Sequence, residues 1–562
     1  MNDGKEIIGL AHSLRMEVWG KAHAKWQQVE RILDGNYTIE VPLWAKSPKI
    51  VPPTAWKMIH FASAQMISTM PSVHRRPMNN DEADRKLSQQ IATWCALTLQ
   101  NIGRNSTTNP FRDFFSNLNL YGYSVFYGPI PNYKLWDERY EAFTSENILP
   151  NDSEWARKSK AIMPFEVITP NPMSVLMDPN EGKTPTFGIW ESQRPRATLE
   201  RDFGINLADL GPMNRVQNWT PVETVTYADE QHLVMFLRQV PEKPIYVIEN
   251  PLGYVPFTQA FSGLGLRRYN QGTAGVEYLA ESLIQASQHT LMAETEAMTH
   301  FMAILRQVAW RTIFAKIGSG INEQTLGRHA LIEVAEPKDA VEYSPIPEVP
   351  PWMMQILDIM RSASEGSTLS PTISGGTLPG VRTASQHGQA AASARLLYNP
   401  AMEQMNDASS IVMGNCGRML AQLKQRWDGK YPMAITVEGM LEHELQRETI
   451  SAEDFQDDYM FHINFEASDP MLQLAKREMA MNLRAQPLGE GGTPGISYET
   501  FISMLDIAGI DAETEMRILN DEAIVLKVMG DTGFWEAVKQ AAAQERGVTP
   551  TQVTDPTAGA LV

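Results

Sequence analysis

The pattern of apolar and polar positions predicts a domain of helices and strands in the first half of the chain. The segment Lys5–Leu33 carries apolar residues at helical spacing, and Asp34-Gly35-Asn36 ends it. Further helices are predicted over Thr54–Thr69, Asp81–Gly103 and Phe111–Leu120. Strand patterns, which suggest a mixed sheet beside these helices, lie at Ser72–Pro77, Tyr121–Gly128, Pro164–Met177, Thr184–Arg194, Val222–Tyr227, His232–Val240 and Lys243–Ile248.

The central stretch predicts a helix out, a small insert, a helix back, a loop and a long helix. The first helix runs from Ala274 to about Leu305, and the insert Val308–Pro350 follows it. The second helix is Trp352–Arg361, a Gly/Pro-rich loop covers 367–381, and a long helical region spans Thr383–Trp427. The insert contains two strand patterns, Thr312–Ile317 and Ala330–Val334. The first helix bears one apolar stripe, spaced three or four residues apart: Leu279, Leu283, Ala286, Thr290, Ala293, Ala297 and Phe301.

Two strand patterns after the long helix predict that the chain returns to its first domain. They are Met433–Glu438 and Met460–Phe465, and the second alternates apolar with polar residues, as expected of a strand with one buried face. From Pro470 onwards the pattern is helical, with a Gly/Pro loop at Pro487–Gly495. Residues 547–562 lack apolar periodicity, which predicts a disordered end.

Composition and charge exclude some classes of protein. The chain has 562 residues, 43% hydrophobic and 20% charged, which is typical of a globular protein with several domains. Its net charge of −18 makes the chain acidic overall, whereas proteins that bind DNA tightly usually present a basic surface. An acidic surface suits a channel that DNA passes without sticking, and it also suits simple solubility.

The location predicted from the sequence is a reducing cytoplasm. The chain starts without a signal-peptide pattern and has no run of eighteen apolar residues, so neither secretion nor a membrane span is expected. Two cysteines, Cys95 and Cys416, offer no disulfide framework and no zinc site.

Motifs for catalysis are incomplete. Gly182-Lys183-Thr184 matches the end of a P-loop, but Met177 stands where its first glycine is required. Ser262 lacks the first glycine of a nucleophile elbow, and His443 has no second histidine at zinc spacing. We therefore expect no catalytic residue, no cofactor and no metal ligand. One acidic cluster fits either a divalent ion or a solvated turn, and it consists of Glu453, Asp454, Asp457 and Asp458.

Four short motifs, in their order along the chain, resemble one protein family. They are Met70-Pro71 with Arg76-Pro77, Tyr121-Gly122 with Tyr127-Gly128, the stretch Pro170–Pro179 that ends in Asp-Pro, and Asn250–Phe257. Each alone also fits an ordinary turn. Together with the helix–insert–helix–loop–helix pattern, they resemble the portal (head-to-tail connector) proteins of tailed bacteriophages.

The resemblance implies an α+β fold, with a mixed α/β wing, a two-helix stem, a small α/β clip, a long wing helix and a helical C-terminal crown. On this chain the parts would be the wing at 1–271, stem helix 1 at 272–305, the clip at 306–350, stem helix 2 at 351–366, the tunnel loop at 367–386, the long helix with its return to the wing at 387–469, and the crown with a disordered tail at 470–562.

The resemblance also implies a ring of identical subunits, a dodecamer in this family, at one capsid vertex of the virion, assembled in the host cytoplasm. The implied partners are the terminase large subunit, a head–tail adaptor, the major capsid and scaffolding proteins, and double-stranded DNA that passes without sequence specificity, with no membrane partner. The tunnel loop would touch DNA through Thr377, Leu378, Pro379, Gly380, Val381 and Arg382. The clip would dock partners through Ile321, Asn322, Glu323, Gln324 and Arg328.

Two alternatives belong to other classes. A shell or tail subunit would also be a structural virion protein, but it would not need a helix–insert–helix excursion that ends in a Gly/Pro loop. A DNA-packaging enzyme would need a complete Walker A loop and clustered nuclease carboxylates, and the sequence lacks the loop. The portal resemblance accounts for the most features.

Overall fold

A computed structural model of the chain describes residues 3–39, 49–61, 63–64, 67, 71–75, 82–132, 165–207, 217–265, 275–309, 313–315, 341–343, 355, 358–359, 398–426, 435–438, 447–450, 461–465, 487–488 and 493–494. The chain divides into two units. The first comprises Met1–Val381, Gln389–Val437 and Glu448–Ser468, and the second comprises Arg382–Gly388, Glu438–Arg447 and Asp469–Val562. The described elements form a mixture of helices and antiparallel strands, in agreement with the predicted α+β class.

The first predicted helix forms, but a wide turn interrupts it. Helix α1 (Gly4–Ser13) leads through a π-helical turn, Leu14–Val18, into α2 (Gly20–Leu33). The extra residue in the turn moves the buried face by one position, so Trp19 is buried and Val18 only half-buried. Of the apolar residues at helical spacing in this segment, Trp26, Val29 and Ile32 are buried, whereas Ile8, Leu14 and Val18 are half-buried and pack against the core. The buried positions of the two helices are Ile7, Ala11, Trp19, Ala22, Trp26, Val29 and Ile32.

Three more helices and a corner follow, close to the predicted bounds. They are α3 (Thr54–Trp56, continued by a π-helical turn to Phe61), α4 (Glu82–Asn105) and α5 (Pro110–Tyr121). The Asn109 side chain caps α5 by accepting hydrogen bonds from two of its first amides. Gly122, at φ 74°, ends it in the left-handed conformation.

Two antiparallel sheets form from the predicted strands. The first has the order β3 (Phe165–Ile168), β2 (Tyr123–Pro131), β9 (Phe257–Phe261), and every residue of its central strand is buried. The strands of both sheets pair antiparallel, so the prediction of a mixed sheet is wrong. The second sheet has the order β4 (Val175–Leu176), β5 (Phe187–Pro195), β6 (Pro221–Asp229), β7 (His232–Leu237), β8 (Val240–Glu249), and α6 (Arg196–Phe203) follows β5.

The segment predicted as one strand, Pro164–Met177, contains two. Strands β3 and β4 are separated by a 3₁₀ turn at Pro172–Ser174, and the Asn171 side chain caps this turn by accepting from the Met173 amide. Pro170 and Pro172 have no backbone N–H to donate to a neighbouring strand, and the chain changes sheet here.

The first predicted stem helix is broken once. Helix α7 (Val276–Leu279) ends at Ala280, and α8 (Leu283–Ala309) continues four residues past the predicted end at Leu305. The first strand pattern of the insert forms as β10 (Ile313–Ala315), which pairs with β11 (Val341–Tyr343). The other predicted strand of the insert, Ala330–Val334, lies outside the described residues.

The predicted return of the chain is confirmed. Helix α9 (Asn399–Arg426) packs against α5, β2 and β9. Strand β14 (Phe461–Asn464) then pairs antiparallel with β1 (Ser72–Arg75), near the start of the chain. Its apolar residues are buried and its polar residues exposed, as the alternation predicts. Between them, β12 (Ile435–Glu438) and β13 (Arg447–Ile450) form a two-stranded sheet.

The second unit contributes one described strand pair. Strands β15 (Pro487–Leu488) and β16 (Thr493–Pro494) pair antiparallel within the predicted Gly/Pro loop. The helices predicted for the crown, between 471 and 543, lie outside the described residues.

The core of the first unit is built on aromatic rings. Trp26 stacks on Tyr123 with ring centroids 5.8 Å apart, and Trp19 lies 4.8 Å from the same ring. Both indole N–H groups are satisfied, because Trp19 donates to the Met177 carbonyl and Trp26 donates to the Tyr121 carbonyl. The two rings thus fasten the N-terminal helices to both sheets without leaving a buried donor unpaired.

Candidate functional site

The residues predicted to line a channel or dock partners lie outside the described residues. This holds for the tunnel-loop set, Thr377–Arg382, and for the clip set, Ile321–Gln324 and Arg328. The described part of the candidate site is therefore helix α8 and its attachment to the first unit. His443 and the acidic cluster 453–458 also lie outside the described residues.

Helix α8 is seated in the first unit through hydroxyl groups. The Tyr37 hydroxyl donates to Thr295 Oγ1 at 2.5 Å, and the Ile50 amide donates to Thr299 Oγ1 at 3.1 Å. Thr54 Oγ1 donates to Glu294 Oε1 at 3.2 Å. We call this face of α8 the seat, and its buried members are Ser287, Leu291, Glu294, Thr295, Thr299 and Ala303.

The threonine hydroxyls of the seat are fully used. Thr295 Oγ1 also donates to the Leu291 carbonyl, and Thr299 Oγ1 donates to the carbonyl of Thr295. Each hydroxyl therefore gives its proton to its own helix and accepts from the N-terminal segment. Each of these bonds forms only when its donor and acceptor lie at the same position along the helix axis. The seat therefore specifies the register of α8 against that segment.

The predicted apolar stripe is not the face that packs within the chain. Its first members, Leu279 and Leu283, are buried beside the break, but Ala286 is exposed and the rest are half-buried. The stripe was therefore wrongly predicted as one continuous surface, because the break at 280–282 separates its start from its main part. We call the remainder the open face, and it consists of Ala286, Thr290, Ala293, Ala297 and Phe301.

Two histidines of α8 do not form a metal site. His289 and His300 are eleven positions apart, which separates them by about 16 Å along a helix. The second lies 3.6 Å from Glu296, one turn before it, and both side chains are partly exposed. Among the described residues, no group of three or more His, Cys, Asp or Glu side chains is placed to hold a metal ion.

The incomplete P-loop motif makes a structural turn. The Gln259 side chain donates to the carbonyls of Asp178 and Gly182, at 2.9 and 2.8 Å. This loop thus offers carbonyl oxygens to the sheet, whereas a phosphate site needs converging amides. Lys183 pairs with Asp407 on α9, so the loop links that helix to the sheet.

Ser262 also has a structural place. The residue is fully buried, and its Oγ donates to the Glu281 carbonyl at 2.7 Å. The Leu264 amide donates to the same oxygen at 3.3 Å. Among the described residues the hydroxyl has no contact with a histidine, so nothing there activates it as a nucleophile.

His23 has a shifted pKa that no sequence pattern indicates. Its ring lies beside the indoles of Trp19 and Trp26, and burial lowers its pKa to about 4. The charge of Arg15 lowers the pKa further, while Glu191 opposes the shift. Arg15 and Glu191 form an ion pair at 2.5 Å across 176 positions, a separation that local sequence patterns cannot reveal.

The two cysteines are buried and unoxidised. Burial raises the pKa of Cys95 and of Cys416, which keeps both thiols protonated and unreactive. None of the described helices is both long enough and apolar enough to cross a bilayer.

Comparison with known proteins finds a similar solved structure but no matching family model. No protein-family model matches the chain, and no curated protein matches it. Among solved structures, one similar chain comes from the neck of a native GTA particle computed with C12 symmetry. It is 10% identical, and the match covers 81% of this chain and 90% of that one, with a TM-score of 0.36.

Proposed function

We propose that the chain is the subunit of a portal-like ring in a phage-type particle, a structural virion protein without catalytic activity. In this proposal 1–271 and the long helix with its return at 387–469 form the wing, and α8 is the first stem helix. The segment 310–386 contains most of the clip, the second stem helix and the tunnel loop. The ring would stand at one capsid vertex and conduct DNA during packaging and ejection.

One observation carries the proposal. Helices α8 and α9 are both rooted in the same core, although 310–397 separates them in sequence. The chain then closes the core by pairing β14 with β1. The chain leaves this core at the end of α8 and re-enters it at the start of α9. This arrangement suits a ring subunit whose stem and clip project from a stable wing.

The quoted motifs have defined structural places in that core. Tyr121-Gly122 is the corner between α5 and β2, where Gly122 needs its left-handed backbone. Asn250 holds the turn before β9, because its side chain donates to the carbonyls of Asp229 and Tyr254. Motifs that shape the core support a resemblance of fold more strongly than isolated turn residues would.

The open face of α8 supports the ring. One of its side chains is exposed and four are half-buried over four turns, while the seat on the other side is already occupied within the chain. A partly exposed helix face of small and mainly apolar side chains suits contact with another subunit. A cyclic ring supplies such a neighbour to each copy.

The proposed roles of the remaining parts follow from the resemblance. Thr377–Arg382 would face the DNA, with Arg382 as the one cation of the loop. Ile321–Gln324 and Arg328 would dock the terminase large subunit and later the adaptor. The net charge of −18 suits passage without capture, because few phosphates would be neutralised. The hydrolysis of ATP would belong to the motor.

Electron microscopy of the purified full chain tests the proposal. We expect ring-shaped particles with a central hole, and native mass spectrometry should give one closed oligomer, with twelve copies in the family pattern. Only monomers at micromolar concentration in near-physiological salt would contradict the ring. Filaments or open sheets would favour a shell or tail subunit instead.

A further inference from the structure

The break between α7 and α8 is a defined turn, which we call the elbow (Ala280–Ser282). Ala280 leaves the helical region, with φ −87° and ψ 47°. Ser282 and Gln285 then start α8 as a reciprocal cap, because each donates its amide to the side chain of the other at 3.0 Å. The elbow contains no glycine, and its capping bonds fix one conformation.

Two glycines from other segments, Gly122 and Gly265, lie in close contact with the elbow and with the end of α7. A Cβ on Gly122 would lie 2.5 Å from the Ala280 carbonyl carbon and from the Glu281 oxygen. A Cβ on Gly265 would lie 1.5 Å from the Tyr278 oxygen. No side chain larger than hydrogen fits at either point, so backbone lies directly against backbone.

Ser262 ties three segments together at this point. Its side chain donates to the Glu281 carbonyl of the elbow at 2.7 Å. Its amide donates to the Gly122 carbonyl at 2.9 Å, which joins the end of β9 to the start of β2. One buried residue, which directly follows β9, therefore bonds to the elbow and to Gly122, which directly precedes β2.

Helix α2 closes the remaining side. The Lys25 ammonium donates to the Glu277 carbonyl at 3.1 Å and lies 4.2 Å above the Tyr278 ring. The apolar side chains around the turn are buried. The elbow is thus held from the corner, from the strand end and from the N-terminal helix.

We infer that the elbow is a fixed joint, which locks α8 to the paired strands β2 and β9 so that they move as one body. A break in a long helix is commonly a hinge, and glycine within the break would favour that. Here the glycines lie on the receiving segments, where they allow close contact and give the elbow no freedom. A tilt of α8 must therefore displace the β2–β9 pair. The inference concerns a single subunit and does not depend on the proposed ring.

Hydrogen exchange of the full chain, measured by mass spectrometry, tests the joint. We expect amides 280–286 to exchange as slowly as those in the middle of α5. Ser262→Ala removes the side-chain bond, and exchange at the elbow should then accelerate by about tenfold, since one buried hydrogen bond is lost. Ser410→Ala is the control, because that hydroxyl donates within its own helix, to the Asn406 carbonyl, and the elbow should not respond.

The inference is overturned if the wild-type elbow exchanges at the rate of unstructured peptide, or if Ser262→Ala leaves its exchange unchanged. A second pair of variants guards against a folding defect. Gly122→Ala and Gly182→Ala both place alanine at positive φ, 74° and 60°, but only Gly122 has backbone within contact distance. We expect the first to lose elbow protection or folded yield and the second to retain both. Equal behaviour of the two variants would show that no close contact exists.

Discussion

The aromatic core of the first unit is held by apolar ring contacts, whereas the seat of α8 is held by hydrogen bonds between polar groups. In the core, Phe114 stacks on Phe126 with centroids 3.9 Å apart, and both rings are fully buried. In the seat, hydroxyl groups carry the contact, through Tyr37, Thr295 and Thr299. Apolar area contributes most to stability and is tolerant of direction, whereas hydrogen bonds contribute less and fix position. The core therefore holds the unit together, and the seat sets where α8 stands.

The largest effect should come from the core. Phe114→Ala removes a buried ring that packs on Phe126, and we expect it to lower the free energy of unfolding by about 3–5 kcal/mol. Trp219→Ala is the control, because this still larger aromatic is 77% exposed and its loss should cost less than about 0.5 kcal/mol. Urea unfolding followed by fluorescence measures both. Similar losses for the two would remove the distinction between core and surface.

An intermediate effect should come from the seat. Thr295→Val keeps the shape but leaves the Tyr37 hydroxyl without its acceptor, so we expect a loss of about 1–2 kcal/mol. Tyr37→Phe removes the same bond from the other side. The double variant should lose little more than either single one, because the bond can be lost only once. Fully additive losses in urea unfolding would show that the bond does not form.

The pH dependence sharpens the same comparison, because His23 lies at the edge of the core. Its pKa falls from the ordinary 6.5 to about 4 in the folded chain. Below pH 6.5 the His23 imidazole is protonated in the unfolded chain but stays neutral in the folded chain. The free energy of unfolding therefore falls as the pH drops from 6.5 to 4. We expect a loss of about 1–2 kcal/mol after allowance for solvent screening of this partly exposed ring.

The measurement is the free energy of unfolding against pH for the wild type and for His23→Gln. The difference between the two curves should change across that window and be flat above it. His289→Gln, which removes an exposed imidazole from α8, serves as the control. A constant difference between His23→Gln and the wild type would show that the ring titrates normally.

The smallest effect on stability should come from the open face. Ala293→Glu adds a charge to a half-exposed position, so the monomer should lose less than about 0.5 kcal/mol. The ring should nevertheless dissociate, because the charge would be buried against a neighbour. Met16→Glu is the control, since that apolar residue is 65% exposed on another helix, and its ring should persist in native mass spectrometry. If Ala293→Glu forms normal rings, the open face is not the subunit interface.

Local periodicity predicted most of the elements but not their exact phase. The helices around Phe111–Leu120 and the alternation at Met460–Phe465 are correct because both follow one unbroken period. The π-helical turn at Leu14–Val18 and the elbow each change which residues face the core within a helical segment. No residue type in the sequence indicates either feature. The apolar patterns therefore misplaced part of the buried face on each helix.

The seat could not be predicted for a different reason. Its partners are far apart in sequence, with Tyr37 and Thr295 separated by 258 positions. Threonine in a helix normally suggests a solvated or neutral position, and only the fold reveals that its oxygen accepts a distant donor. The predicted channel residues, Thr377–Arg382, and docking residues, Ile321–Gln324 and Arg328, lie outside the described residues and remain predictions.

The pairing of β1 with β14 has a consequence for biosynthesis. Ser72 bonds to the Asn464 carbonyl across 392 positions, and Phe111 lies against Phe465. Ribosomes add about 5–20 residues per second, so β1 waits roughly 20–80 s for its partner strand. During that interval the nascent chain presents an unpaired strand edge and an uncovered phenylalanine, the features that chaperones bind. Truncated products that end before residue 461 lack β14 and cannot form this strand pair.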